Sequence, residues 1–325
     1  MTQSNHLYDL IFGPPLDSKK PENFLPSYDE IFGSETVSKK PEKHLSPHEE
    51  YELYFREIPV QTKFPSAKDI LIEFSYFFLN CFIFSIVIIV SAFFFENYPA
   101  WRSISGFIFS SCLILASVAL HEFFHAFFAF IFGDHTIFDR GYLKLNILKY
   151  YHNFNSLFLP LLAFFYTGIF LPGAAVYINI ENIKYRIFEF IVFIAGIFSQ
   201  IIFLFFILTF LNSNIHFLSN ELIALLHACA AVQVIILVFN LLPVPGLDGW
   251  GACWTLISPN VGRFISYYLF IPIMIAIMIL FFLDSELFLP IVSLMGFLFS
   301  EIGIDQDLVR DGFEYLQIID FSNWQ

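Results

Sequence analysis

The chain has 325 residues, of which 57% are hydrophobic, 46 are phenylalanine and only 14% are charged. That balance belongs to a polytopic membrane protein and excludes an ordinary soluble domain. The formal net charge of −13 sits largely in the two ends and supplies no basic face, which argues against a nucleic-acid partner.

Residues 1–66 read as a polar, disordered cytoplasmic tail. They contain a duplication: YDLIFGPPLDSKKPENFL from Tyr8 and YDEIFGSETVSKKPEKHL from Tyr28. Two copies are too few for a solenoid, and Pro, Ser and Lys dominate the spacers. The alternative is a repeated docking motif gripped by a partner through Tyr-Asp-x-Ile-Phe. No cleavable leader is visible in this stretch, so the first apolar span is expected to direct the chain to the membrane.

Apolar spans follow at Ala67–Phe95, Ile104–Phe132, Ser156–Ile180, Phe188–Leu211, Leu222–Leu242, Phe264–Leu283 and Leu287–Phe299. Pro160, Gly168, Pro172 and Gly173 break the third, which suits a re-entrant or irregular segment better than a straight helix. Arg140, Lys144 and Lys149 precede it, and Lys184 and Arg186 follow it. Both groups belong on the same, cytoplasmic side. The expected fold is therefore an all-α polytopic membrane protein, with about six transmembrane helices, a re-entrant or short β region, and polar tails. Both termini are expected in the cytoplasm, across the inner membrane if the cell is bacterial. Residues 67–300 would form the membrane domain, with a core of about 104–254. Residues 301–325 would be an acidic C-terminal tail, a solvated amphipathic end. Cys81, Cys112, Cys229 and Cys253 are scattered without CxxC pairing and read as small buried hydrophobes.

The second span carries the chemistry. ALHEFFHAFF, Ala119–Phe128, sets His121, Glu122 and His125 in an otherwise apolar run. Ionisable groups there are expensive and tend to be functional. On a helix, positions i and i+4 share a face, so two neutral imidazoles can grip one zinc ion. Glu122, next door, suits proton transfer, as in the HExxH pattern of zinc peptidases. The bland alternative is a pair of helix histidines hydrogen-bonded to neighbours.

A catalytic zinc usually takes three protein ligands. Asp134 and His135 lie past Gly133, where the helix is expected to end. His152 falls in the following loop, His216 at the far side, and His227 mid-span as a packing histidine. The strongest candidate is Asp248 in FNLLPVPGLDGWG, Phe239–Gly251, where Pro243 and Pro245 end a helix and Gly246 and Gly249 free the backbone to aim a carboxylate. Alone, Leu-Asp-Gly is also good turn chemistry. Asn240 lies at the same depth.

Together HEFFH and NLLPVPGLDG resemble the site-2 protease family of intramembrane zinc metalloproteases, over most of Ile104–Trp254. FGDHTIFDRGYLKLNILKYYHNFNSL looks like the family loop after the zinc helix, and AGIFSQ, Ala195–Gln200, occupies the place of an AGPxxN-like sequence. The resemblance implies His121, His125 and Asp248 as ligands of one catalytic zinc and Glu122 as general base. It puts Asn240 near the substrate carbonyl or the catalytic water. The stretch around PGAAVYINI resembles the family's membrane-associated sheet region, which offers an edge to an unwound substrate. The implied substrate is a membrane protein with a transmembrane segment, met within the lipid bilayer. Ile197 and Gln200 depart from the family pattern, as does His152.

Three other readings compete. A different class of membrane HExxH protease would use a distal glutamate, for which Glu301 and Glu96 lie outside helix interiors. A catalytically inactive zinc-binding scaffold would keep the ligands and use the tail repeats to bind partners. A transporter is disfavoured because the spans show no inverted repeat.

Overall fold

The computed structural model describes residues 65–150, 176–213, 215, 217–257, 265 and 289–316. Among them the protein is helical and carries no strand. Its main helices are α1 (Ala67–Asn97), α2 (Arg102–Ile131), α3 (Arg186–Leu211), α4 (Asn220–Leu241), α5 (Asp248–Ile257), α6 (Leu289–Glu301) and α7 (Gln306–Phe313).

Four helical stretches are long and apolar enough to cross a membrane: Ala67–Asn97, Pro99–Ile131, Arg186–Leu211 and Asn220–Leu241. They match four of the seven spans expected from the sequence. The broken third span, apart from residues 176–180, and nearly all of the sixth lie outside the described residues. The seventh is α6, at 13 residues too short to cross alone. Among the described residues four helices are long enough to cross, and Val176–Asn179 carries no regular secondary structure.

Capping polar residues set where these helices begin. Ser66 and Asp69 form a reciprocal box at the start of α1, with Asp69 N donating to Ser66 Oγ at 3.3 Å and Ser66 N to Asp69 Oδ2 at 3.2 Å. Ser219 caps α4 by accepting from Leu222 N at 3.2 Å. Inside α2 the hydroxyls of Ser105 and Ser110 bond back to carbonyls one turn earlier, which satisfies them where no water reaches.

α4 runs through the middle. Leu225, Ala228, Cys229, Ala230 and Ala231 on it are wholly buried, and the small side chains let neighbouring backbones approach closely. α1 lies at the periphery, with Leu71, Phe78, Phe82 and Ile89 outward, as a lipid-facing helix should be. Phe74 and Phe77 on its inner face meet Phe123 and Phe127 of α2 edge-on or tilted. The two helices are therefore packed ring against ring beside the HEFFH turn.

The bundle has two distinct ends. At one, Lys144 reaches Glu73 near the start of α1 at 3.2 Å, and Asn80 Nδ2 donates to the Lys144 carbonyl at 2.9 Å. At the other, Arg102 pairs with Glu221 at 2.7 Å, and Glu96 Oε1 accepts from Ser219 N and Oγ. Glu73 and Glu96 share one helix, and their separation in sequence corresponds to about 34 Å of helical rise.

The C-terminal elements occupy that second end. Asp305 caps α7, and its amide donates to His227 Nδ1 on α4 at 3.2 Å. Ile304, Val309 and Leu316 are buried, and Tyr315 meets Phe95 edge-on at 5.1 Å. Residues 304–316 are therefore folded onto α4 by one face, so the amphipathic end is solvated only along the other. Sequence alone could not reveal this, because four acidic residues in 305–314 mask the apolar stripe that α4 buries. These elements sit at the end of the bundle opposite the start of α1, and the two termini themselves, 1–64 and 317–325, lie outside the described residues. Gly312 makes the close contact, since a Cβ there would stand 2.1 Å from the Ala224 carbonyl oxygen. Gly312→Leu is accordingly expected to destabilise the purified protein by roughly 1–3 kcal/mol while leaving its metal content unchanged. Thermal melting in detergent checks this, and an unaltered midpoint would contradict the packing described.

Candidate metal centre

His121 and His125 share one face of α2, about 15 Å and about 9 Å from its C-terminal end by helical rise, within the apolar stretch. Both are buried, at 5% and 4% exposure. Their Nε2 atoms stand 2.9 Å apart.

One hydrogen bond fixes the chemistry of the pair. His125 Nδ1 lies 2.7 Å from the carbonyl oxygen of Val192 on α3. A carbonyl only accepts, so Nδ1 carries the proton, and a neutral ring then turns a bare lone pair at Nε2 towards His121.

The third group arrives from the far end of the chain. α4 stops at Leu241, because Pro243 and Pro245 cannot continue its hydrogen bonds. Gly246 takes a φ of 94°, a left-handed turn that brings the chain back towards α3. Gly249 passes so close to the end of α4 that a Cβ would sit 2.3 Å from the Leu241 carbonyl oxygen. This reversal opens α5 at Asp248 and aims its carboxylate at the imidazoles. Oδ2 lies 2.9 Å from His121 Nε2 and Oδ1 lies 3.2 Å from His125 Nε2.

The residues fit a divalent metal. Ligand atoms of His121, His125 and Asp248 all lie within 4.8 Å of one another. Zinc bound tetrahedrally at about 2.0–2.2 Å holds its ligand atoms roughly 3.3 Å apart, close to the spacing observed. Lone pairs of a neutral His125 and an ionised carboxylate repel at 3.2 Å unless a cation lies between them. His121 Nδ1 and Asp248 Oδ2 are buried and make no hydrogen bond among the described residues, so neither is committed to a purely structural network. Gly196 on α3 keeps the space open. A Cβ there would stand 2.3 Å from His125 Nε2 and 2.6 Å from His121 Cε1.

Glu122 is buried at 7% exposure and takes a hydrogen bond from the backbone amide of Val176. Asn240 donates through Nδ2 to Gln200 Oε1 at 3.2 Å, one turn beyond Gly196. It thus lies on the α3–α4 seam, engaged with the residue that departs from the family's asparagine. His227 is a packing histidine, as the sequence suggested. Glu96 and Glu301 belong with the opposite end of the bundle, so the distal-glutamate ligand set has no support in the geometry. His152 and His216 lie outside the described residues.

Sequence reasoning missed the Val192 carbonyl, the role of Gly196 and the helical form of 248–257, which reads as a loop. A carbonyl carries no sequence signal, whereas Gly196 stood inside AGIFSQ and needed a partner to explain it.

Comparison with known proteins agrees with this arrangement. Over 152 residues the chain is 41% identical to "Putative zinc metalloprotease Rip2" of Mycolicibacterium smegmatis, covering 46% of this chain and 57% of that protein. The Rip2 of Mycobacterium tuberculosis is 39% identical over 153 residues, with the same coverage. "Putative zinc metalloprotease YwhC" of Bacillus subtilis is 31% identical over 156 residues, which are 46% of this chain and 68% of the relative. The chain belongs to the site-2 protease family of membrane zinc metalloproteases. It spans somewhat more than half the length of the Rip2 proteins. No family model matches it, and no solved structure matches it.

Two variants check the centre. Gly196→Ala is expected to weaken zinc affinity by about 10–100-fold with little change in helix content, and Asp248→Ala to weaken it at least as much. Metal titration with a competing chelator reads both, and wild-type affinity in Asp248→Ala would remove the carboxylate from the ligand set.

Proposed function

We propose that the protein is an intramembrane zinc metalloprotease that hydrolyses a peptide bond in or near the transmembrane segment of a membrane-bound substrate. The observation that carries this reading is the meeting of two imidazoles and one carboxylate inside an apolar helical bundle, beside a buried glutamate.

His121, His125 and Asp248 would hold the ion. Zinc, when bound, supplies Lewis acidity that polarises a carbonyl and lowers the pKa of water. Glu122 takes a proton from the attacking water and delivers it to the leaving amine, so that water's oxygen ends on the new carboxyl and its proton on the new amino terminus. The Val176 amide orients that carboxylate. Asn240, fixed by Gln200, is placed to meet the substrate near its scissile carbonyl. The non-helical backbone at Val176–Asn179 lies beside Glu122 and would be free to pair with an unwound substrate strand, since a helical peptide bond is shielded from attack.

The start of α1 and the loop with Arg140 and Lys144 belong on the cytoplasmic side by their basic residues, which makes residues 304–316 face the other side. The tail repeats offer a docking site for a protein partner. Release of a membrane-tethered regulator and clearance of signal-peptide remnants are both outcomes such chemistry serves.

Glu122→Gln tests the proposal, because it keeps the ligands and removes the base. Zinc content should stay at wild type while cleavage falls by about 10²–10⁴-fold, and substrates should accumulate bound to the variant in cells. Undiminished cleavage products in that variant would leave only a binding role for the protein.

A further inference from the structure

We propose that Asp134 is a positioning residue for the Glu122 carboxylate, acting through the backbone of residues 176–182; the inference rests on the proteolytic reading above. Asp134 follows the end of α2, where Gly133 takes a φ of 120° and the Asp134 amide closes the helix on the Ala129 carbonyl at 2.9 Å. Its side chain is wholly buried. A buried carboxylate costs several kcal/mol unless its lone pairs are filled.

Four neutral donors fill them. Thr136 supplies Oγ1 at 2.6 Å and its amide at 3.3 Å. The others come from a segment distant in sequence: the Asn179 amide at 2.7 Å and Asn182 Nδ2 at 3.1 Å. The local bonds to Thr136 shape a turn. The long-range pair does something a turn does not need, because it ties a second piece of backbone to the end of the zinc helix.

That piece of backbone reaches the site. The Val176 amide, three residues before Asn179, donates to Glu122. Between them the Tyr177 carbonyl accepts from Arg140 Nη1 at 2.8 Å. Gly133 lets the segment close in, since a Cβ there would stand 2.9 Å from the Asn182 carbonyl oxygen. Both ends of the link thus start from α2, at Glu122 and at Asp134, and the segment bridges them. Three residues of extended chain span only about 10 Å, so a shift where Asp134 holds the segment is felt at Val176. Small misplacements of a catalytic group can cost about 10²-fold in rate.

Hydrogen exchange on the full-length zinc-loaded protein in lipid nanodiscs tests this, together with cleavage of a fluorescently tagged single-span membrane protein. In Asp134→Ala the Val176 and Asn179 amides should exchange about tenfold faster or more, with the amides of residues 110–125 unchanged. Zinc content should match wild type, kcat should fall about tenfold or more, and KM should stay within about twofold. Asn179→Pro removes the amide that Asp134 accepts from, together with the Asn179 side chain, at a φ of −84° close to the range of proline. It should reproduce the kcat defect and settles the matter if Asp134→Ala does not fold. Unchanged exchange at Val176, or an unchanged kcat in a variant that has freed Val176, overturns the proposal. A zinc-loaded wild type that leaves the tagged protein intact counts against the proteolytic reading instead, and the exchange comparison still judges Asp134.

Discussion

The structure depends on one hydrogen bond inside the membrane, from His125 Nδ1 to the Val192 carbonyl. It fixes which nitrogen of the ring carries a proton, and so leaves the other as a ligand atom. It also ties α2 to α3, so the backbone of α3 becomes a wall of the site and Gly196 must be free of a side chain. Asp248 then needs only to be delivered to a cluster that two helices have already oriented. The delivery falls to a pair of prolines and a left-handed glycine at the end of α4, with α5 locking the turn in place. A Cβ at Gly251 on α5 would sit 2.2 Å from Phe193 Cδ1, and Trp254 meets Phe193 edge-on. α5 thus rests on α3 one residue away from the carbonyl that orients His125.

Much of the site was legible in the residues, for a physical reason. Imidazoles and a carboxylate in apolar surroundings are costly, and their i, i+4 spacing declares a shared face whatever the tertiary structure. Asp248 was harder, because its signal is turn chemistry that serves many purposes; only its pairing with HEFFH made it specific. What stayed hidden is what the backbone contributes. The Val192 carbonyl and the Val176 amide have no letter in the sequence, and Asp134 was weighed as a ligand before its buried ring of donors showed a different use.

The fold was readable in its long helices and misread at its short ones. Continuous apolar runs announced α1 to α4. α5 is short and opens on Asp and Gly, and α7 sets Asp, Gly and Arg around three apolar residues; such stretches look like loops until a neighbouring helix supplies the surface that they bury. α7 was the larger surprise. Its acidic residues suggested solvent, yet Asp305 serves as an N-cap, and Val309 and Gly312 face α4. Charge at the ends of a helix and burial along one stripe are compatible, and composition averages the two away.

The seat of α7 on α4 has a consequence for how the molecule comes into being. The flank of α4 that residues 304–316 cover, around Ala224 and Ala228, is made some eighty residues before them. Until they emerge that flank lacks its cover, and His227 Nδ1 lacks the Asp305 amide that donates to it. His121, His125 and Asp248, in contrast, have all been made once α5 has been translated. Their cluster can therefore form before the opposite end of the bundle closes.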